Sequence, residues 1–298
     1  MKTSFVINAD DFGFSRGINE SILDAADNSA LSGVSLISNG SDLPFAFSEL
    51  QKRPWLRLSV HLNLTDGEPL GDAKEGILTR NGVFCHSFQS LWLAYLRSRR
   101  KERELMKNEV KKEIRAQIQK VKEVFGENRE ISVDGHEHIH MIPFVFDALL
   151  ELSSEFHFAN IRTPSEPFFV SIKKTSDLSN YFGLNIVKHF LLNALSVSAK
   201  KKLDAKRIPH TDYFIGVLFT GNMTFDAVKA GFARIPHPIC GKRIEILFHP
   251  GGAKESERGL WGEGRKRFAE WYFSSGRKKE REELKRQDFK EFISHLTL

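Results

Sequence analysis

Ile131-Ser-Val-Asp-Gly-His-Glu-His-Ile-His-Met-Ile-Pro143 reads as one structural unit. A brief β-branched strand comes first, then a polar connection with three histidines. A helix follows, running from Pro143 to about Ser153, with proline near its start where the missing N–H costs nothing. On a strand, His136, His138 and His140 would all point to one face. If the backbone coils after His136, the pair His136 and His140 would instead lie one helical turn apart, which is also a chelating spacing. An apolar core could not accept three imidazoles aimed the same way, so the stretch calls for water, a partner or a metal. Asp134 is close enough in the chain to accept a hydrogen bond from a ligating imidazole. The plain alternative is a solvated histidine loop.

The same unit recurs on both sides of this stretch. Phe5-Val-Ile7 is a short apolar run ending in Asn8-Ala-Asp10-Asp11-Phe-Gly13, and a helix follows from Ser15 to Ala26. Further strands are expected over Gly33–Ile37, Arg57–Val60, Ala159–Arg162, within His210–Gly216 and over Ile244–Phe248, with helices between most of them. Six or seven repeats of strand, polar loop and helix argue for parallel strands with helical crossovers. No Gly-x-Gly-x-x-Gly fingerprint follows the first strand, so the expectation is a TIM-like (β/α) barrel, closed or incomplete with seven strands, over an open doubly wound sheet. One catalytic domain is expected over residues 1–298, with a surface helical insertion at about 88–126 and a basic helical tail at about 263–298. In that insertion Leu105, Val110, Ile114, Ile118, Val121 and Val124 are expected to face the core. In the helix Tyr181–Leu203 the core positions should be Phe182, Ile186, Phe190 and Leu191. Asp66 to Gly82, rich in glycine and charge, reads as an irregular excursion that could cover a site.

Composition narrows the function. Hydrophobic residues make up 41% and charged residues 28%, which suits a globular chain with a large core and not a disordered one. The net charge of +6 is gathered in Arg97–Lys122, Lys200–Arg207 and Gly264–Arg286. Interspersed glutamates make the helical runs read as solvated faces, and no nucleic-acid motif accompanies them. No apolar run is long enough to span a membrane and no signal peptide is legible, so a cytoplasmic protein with neither a nucleic-acid nor a membrane partner is expected. A homodimer is left open. Cys85 and Cys240 lack zinc-ligand spacing and are expected to be reduced.

In such barrels catalytic groups collect at the C-terminal ends of strands. Asp10, Asp11, His61, His136, Arg162 and His249 all fall there. Asp10 and Asp11, adjacent on an extended segment, should point in opposite directions and serve different roles. A histidine–histidine–aspartate set with an open position suits a divalent metal, and imidazole favours zinc or another transition metal over magnesium.

The motifs Asn8-Ala-Asp-Asp-Phe-Gly13, Gly33-Val-Ser-Leu-Ile-Ser-Asn39, Val60-His-Leu-Asn-Leu-Thr65, Asp134-Gly-His-Glu-His-Ile-His140, Ile161-Arg-Thr-Pro164 and Phe248-His-Pro-Gly251 occur in an order that resembles the YdjC-like carbohydrate deacetylases, relatives of the polysaccharide deacetylases. The resemblance spans most of the chain. It implies a related barrel, a divalent ion usually described as magnesium, with zinc as the alternative, and hydrolysis of an N-acetyl group from an amino sugar or oligosaccharide substrate. By that resemblance Asp11, His61 and His136 are the metal ligands, Asp10 the general base and His249 the general acid. Arg162 and His140 would orient Asp10, the substrate or the ligands. His138 is open between a supporting and a surface role, and Asp212 is expected to line the site. Competing readings are a metal-dependent phosphoesterase of the His-x-His type, which would want a carboxylate-bridged pair of ions, and an inactive sugar-binding protein.

Overall fold

A computed structural model describes residues 3–71, 76–127, 129–173, 175–260 and 266–297. Positions 72–75 of the expected excursion, and 263–265 and 298 of the expected tail, lie outside the described residues. Seven strands form one parallel sheet: β1 (Ser4–Phe12), β2 (Gly33–Leu36), β3 (Arg57–Leu62), then, after a two-stranded hairpin β4 (Thr79–Arg80) and β5 (Val83–Phe84), β6 (Ile131–Gly135), β7 (Phe158–Ile161), β8 (Tyr213–Ile215) and β9 (Arg243–Phe248). Their spatial order is β7-β6-β3-β2-β1-β9-β8, which is chain order read around a ring. The sheet curls into an incomplete TIM-like barrel. Its seam falls between β7 and β8, where one parallel bridge joins Ile161 to His210. Ile161 N donates to Pro209 O at 2.9 Å and Thr211 N to Ile161 O at 3.2 Å. The strands are almost wholly buried, as expected where crossover helices cover a parallel sheet.

The covering helices include α1 (Arg16–Asn28), α2 (Leu43–Gln51), α3 (Phe88–Arg97), α4 (Arg100–Phe125) and α5 (Pro143–Glu151). After β7 come α6 (Ser179–Phe182), α7 (Leu184–Lys206) and α8 (Phe225–Phe232), and the chain closes with α9 (Lys266–Tyr272), α10 (Ser275–Lys285) and α11 (Gln287–Thr297). Among the described residues no helix is long and apolar enough to cross a membrane. Both cysteines are free thiols.

Two core expectations change. In α4 the buried line is Met106, Val110, Ile114, Ile118 and Val121, while Leu105 faces solvent and Val124 is half-buried. The spacing 106, 110, 114, 118, 121 keeps one helix face, and Leu105 lies about 100° off it. The expected helix over Tyr181–Leu203 is interrupted at Gly183, whose backbone is extended. Phe182 and Phe190, expected in the core, are exposed, and the buried face of α7 is instead Leu192, Ser196, Ala199 and Leu203 with His189.

Candidate metal and catalytic centre

β1 brings two carboxylates to the barrel's C-terminal mouth. An extended backbone would send Asp10 and Asp11 apart, but the β1–β2 register shifts between Ala9 and Phe12 and Asp11 adopts a left-handed φ of 74°. Such a bulge re-aims a side chain. Both carboxylates therefore approach the same imidazole, with His61 Nε2 3.8 Å from Asp10 Oδ2 and 3.6 Å from Asp11 Oδ1. The expectation that they diverge is thereby corrected. At the end of β3, His61 is fixed from behind by Asp134, whose Oδ1 accepts from Nδ1 at 2.5 Å. That bond fixes Nδ1 as the donor to Asp134, so a neutral His61 would present an unprotonated Nε2 to the mouth.

The histidine stretch does not continue β6 as a strand. The strand ends at Gly135, and Glu137 and His138 take φ values of 52° and 58°, so the three imidazoles diverge. His136 Nδ1 lies 3.0 Å from Asp11 Oδ1, and its Nε2 lies 3.3 Å from Asp66 Oδ2 and 3.2 Å from the Tyr272 hydroxyl. His140 points away from the carboxylates, and its Nε2 donates to the Arg162 carbonyl at 3.0 Å. Burial holds its pKa down at about 4, so it is a neutral brace. His138 is half-buried, edge-on to Phe214 with ring centroids 5.9 Å apart.

Arg162, fully buried, grips Asp10 with two hydrogen bonds of 2.8 and 2.9 Å, and reaches Asp134 at 3.0 Å and Glu245 through Nε at 2.8 Å. Asn8 and Ser35 complete the network: Asn8 Nδ2 donates to Asp10 Oδ1 at 2.8 Å and Ser35 Oγ to Asp134 Oδ2 at 2.6 Å. Burial alone would raise the Asp10 pKa, but Arg162 and His61 hold it well below the usual carboxylate range. Burial likewise opposes the charge on Asp11, and Arg277 with His136 and His61 outweighs it.

The charged tail supplies much of the wall. Gly276 lets α10 press against the loop at Gly221, where a Cβ would lie 2.0 Å from the Gly221 carbonyl oxygen. One residue on, Arg277 is buried and donates to Asp11 Oδ2 at 2.8 Å and to Gly251 O at 2.6 Å. One turn further, buried Glu280 accepts from the His249 backbone N–H at 2.6 Å and lies 3.9 Å from His249 Nδ1. Burial pushes Glu280 up to about 7 and His249 down to about 4. His249 also meets Trp271 edge-on at 5.5 Å, and Tyr272 stacks on Phe14 at 4.8 Å. Sequence reasoning read this tail as a solvated basic face and missed Tyr272, Arg277 and Glu280. The aromatic triplet Trp271-Tyr-Phe273 in an otherwise charged run was the available signal.

Of the site residues expected from sequence, the structure gathers Asp10, Asp11, His61, His136, Arg162 and His249 and keeps His140 directly behind them. Asp212 is the exception. It precedes β8 at the barrel's opposite, N-terminal end, where Oδ2 accepts from the Arg243 N–H at 2.8 Å and Oδ1 from Lys242 at 3.2 Å. It ties two strand starts together and is removed from the site.

Asp11, His61 and His136 each offer one ligand atom, all within 4.8 Å of one another. Among the described residues no hydrogen bond of good geometry reaches the buried Asp11 Oδ1, although imidazole nitrogens stand at 3.0 and 3.6 Å. Donor atoms gathered this closely could share one cation. Charge agrees: among the described residues the carboxylates Asp10, Asp11, Asp134 and Glu245 face only Arg162 and Arg277 as permanent cations. Burial would lower both imidazole pKa values, yet neighbouring carboxylates hold His61 up at about 9 and His136 at about 10. The pocket thus compensates its excess negative charge with protons, which a divalent ion would replace. A second grouping, Asp10, His61 and Asp134, shares His61, and Arg162 already engages both of its carboxylates. Beside the centre a groove of about 950 Å³ runs from Phe14 and Asp66 to Arg80, Phe84 and His86 on the hairpin side.

A seven-stranded parallel barrel with a buried His/Asp centre at its C-terminal mouth defines a TIM-like α/β protein able to hold a divalent metal. The chain belongs to the YdjC-like protein family, whose model matches residues 4–295. It is 25% identical over 290 residues to a carbohydrate deacetylase of Danio rerio, covering 90% of this chain and 88% of that protein. Its fold matches the crystal structure of a putative cellobiose-phosphate cleavage protein from Enterococcus faecalis with a TM-score of 0.70 and 17% identity, over 100% of this chain and 96% of the other.

Proposed function

We propose that the protein is a metal-dependent carbohydrate deacetylase that hydrolyses an N-acetyl group on an amino sugar or oligosaccharide. The observation that carries this reading is the convergence of Asp11, His61 and His136, with a buried Asp11 oxygen lacking a hydrogen bond, beside an arginine-clamped aspartate and a histidine from a separate strand. The relationship to a carbohydrate deacetylase supports it. Asp11, His61 and His136 would hold the ion. When bound, a divalent metal supplies polarisation of the acetamide carbonyl and lowers the pKa of water. Magnesium follows from the family description, while two imidazoles among the ligands favour zinc or another transition metal.

The remaining roles fall to the chain's own groups. Asp10, kept ionised and immobile by Arg162, accepts the proton of the attacking water as general base. His249, immediately after β9, delivers a proton to the nitrogen of the departing amine. Its low resting pKa makes it a strong acid once protonated and leaves little of it protonated near neutrality, and the Asp11 and Asp10 carboxylates favour the protonated form. Arg162 positions Asp10 and His140 positions Arg162. The groove beside Asp66 receives the sugar rings beyond the reacting residue. Because Arg162 occupies Asp10 and Asp134, a single ion is favoured over the bridged pair a phosphoesterase would want.

The test is acetate release from N-acetylglucosamine oligomers by protein stripped with chelator and reloaded with magnesium or zinc. Metal-restored release is expected; none with either ion refutes the reading for that substrate class. Asp10→Asn should abolish turnover and retain metal, and loss of metal would move Asp10 into the ligand set.

A further inference from the structure

The barrel is open at the end opposite the metal centre. A cavity of about 470 Å³ enters between the N-terminal ends of the strands and reaches Asn8, Glu245 and the Asp134–Arg162 pair. Bulky branched side chains ordinarily fill the interior of such a barrel. Here β1, β3, β6 and β7 contribute Ser4, Ser59, Ser132 and Asn160 to the wall, and Thr211 joins them just before β8. Short polar side chains at these places leave room for a small molecule, since ligand pockets begin at roughly 300 Å³.

The two ends of the cavity differ in chemistry. Arg57, Arg129 and Arg243 line the entrance. Arg57 donates to Ser4 Oγ at 2.8 Å, and Arg129 lies over the Phe125 ring at 4.9 Å. Among the described residues none of the three pairs with a carboxylate, whereas the surface residues Arg16, Arg53, Arg115 and Arg258 do. Glu130 is the one carboxylate beside them at the entrance among the described lining residues. Deeper in, the wall offers acceptors. Asn160 Nδ2 donates to Thr211 Oγ1 at 3.1 Å, and Thr211 Oγ1 donates to Glu245 Oε2 at 3.3 Å. Among the described residues the buried Asn160 Oδ1 has no hydrogen-bond partner, and a buried acceptor of this kind calls for a donor.

We propose that this cavity binds a phosphate monoester of a small polyol, with the phosphate at Arg57, Arg129 and Arg243 and the hydroxyls donating to Asn160 and Glu245. Guanidinium groups without carboxylate partners suit a phosphate, which each can grip through two donors. Inorganic phosphate would leave the inner acceptors unanswered, and a neutral polyol would leave the arginines so. The site stands apart from the chemistry at the mouth, and its test needs no turnover.

Isothermal titration calorimetry on the metal-loaded full chain at about 0.15 M salt compares glycerol 3-phosphate, inorganic phosphate and glycerol. Glycerol 3-phosphate should bind at least roughly tenfold more tightly than either of the others. At roughly tenfold for each lost charge-assisted contact, the double variant Arg57→Gln/Arg243→Gln should lower that affinity by about 100-fold. Both positions are exposed, so its circular dichroism spectrum should be unchanged. Asn160→Leu should bring glycerol 3-phosphate down to the affinity of inorganic phosphate. Should that variant fail to fold, Ser132→Val narrows the cavity and should have the same effect. A metal ion at the mouth can also hold phosphate, but that binding does not respond to the entrance arginines. No binding of glycerol 3-phosphate, equal affinity for inorganic phosphate, or an affinity indifferent to Arg57→Gln/Arg243→Gln would overturn the proposal.

Discussion

Asp134→Asn separates the support of the metal centre from its charge. Asp134 Oδ1 accepts from His61 Nδ1 at 2.5 Å, and Oδ2 faces Arg162 at 3.0 Å and Ser35 Oγ at 2.6 Å. The asparagine is isosteric, but it loses the negative charge that orients His61 with Nε2 toward the ion. Loss of an outer carboxylate of this kind lowers metal affinity by roughly 10–100-fold, or about 1.4–2.7 kcal/mol. The effect on the metal-free protein should differ. Breaking a buried pair usually costs about 3–5 kcal/mol because a charge is left alone. Here Arg162 keeps Asp10 and Glu245, and Asp10 itself repels the Asp134 charge. The metal-free variant should therefore lose less than about 1.5 kcal/mol, below that range, while metal binding weakens at least tenfold. Competition with a chromophoric chelator measures the first quantity, and urea unfolding with and without EDTA the second. Unchanged metal affinity, or a metal-free protein destabilised by the full cost of a broken buried pair, would refute the reasoning.

The raised imidazole pKa values predict a pH dependence. His61 and His136, at about 9 and 10 when folded against about 6.5 unfolded, contribute stability that is fully present below pH 6.5 and fades as pH rises through 9–10, so in EDTA the urea midpoint should fall across that window. Metal must displace these protons, so affinity should climb with pH over the same range, and calorimetry in buffers of different ionisation enthalpy should record proton release near neutrality. Arg277→Met leaves the buried Asp11 carboxylate without its guanidinium and should cost about 3–5 kcal/mol, roughly 6–20 °C in Tm, which a thermal melt will show. His249→Gln should cut kcat by about 10²–10⁴ while metal affinity holds; loss of metal would make His249 a ligand.

Strand ends carried most of what the sequence says about the candidate site. Asp10, His61, His136, Arg162 and His249 were legible because each follows an apolar run where a polar side chain has no packing role, and a parallel barrel gathers such ends at one mouth. Two local conformations were hidden from periodicity. The bulge that turns Asp11 beside Asp10, and the left-handed pair Glu137 and His138 that ends the histidine alternation, depend on tertiary contacts and break the period-two pattern. Asp212 failed for a simpler reason: a polar residue beside a strand can lie at either end, and composition does not say which. The tail was the largest omission. Arg277 and Glu280 sit in a run of lysines, arginines and glutamates, and only burial distinguishes them from solvated neighbours.

That burial changes how the centre is understood. A TIM barrel interior is ordinarily layered with branched apolar side chains, but here the interior beneath the mouth carries Asn8, Asp10, Ser35, Asp134, Arg162 and Glu245, hydrogen-bonded to one another. Buried charge of this kind is seldom a net gain over an apolar core, so stability alone gives no reason for it. Arg162 provides one positive charge against Asp10, Asp134 and Glu245, and α10 supplies a second only at Asp11. Burial pushes Glu245 toward protonation, and His61 and His136 take up protons, which brings the network near neutrality without an ion. A bound dication would do the same with those histidines deprotonated and Nε2 of His61 turned to it. The barrel interior and the tail together keep one site short of positive charge, and the histidines that answer the deficit with protons are the ones placed to answer it with metal.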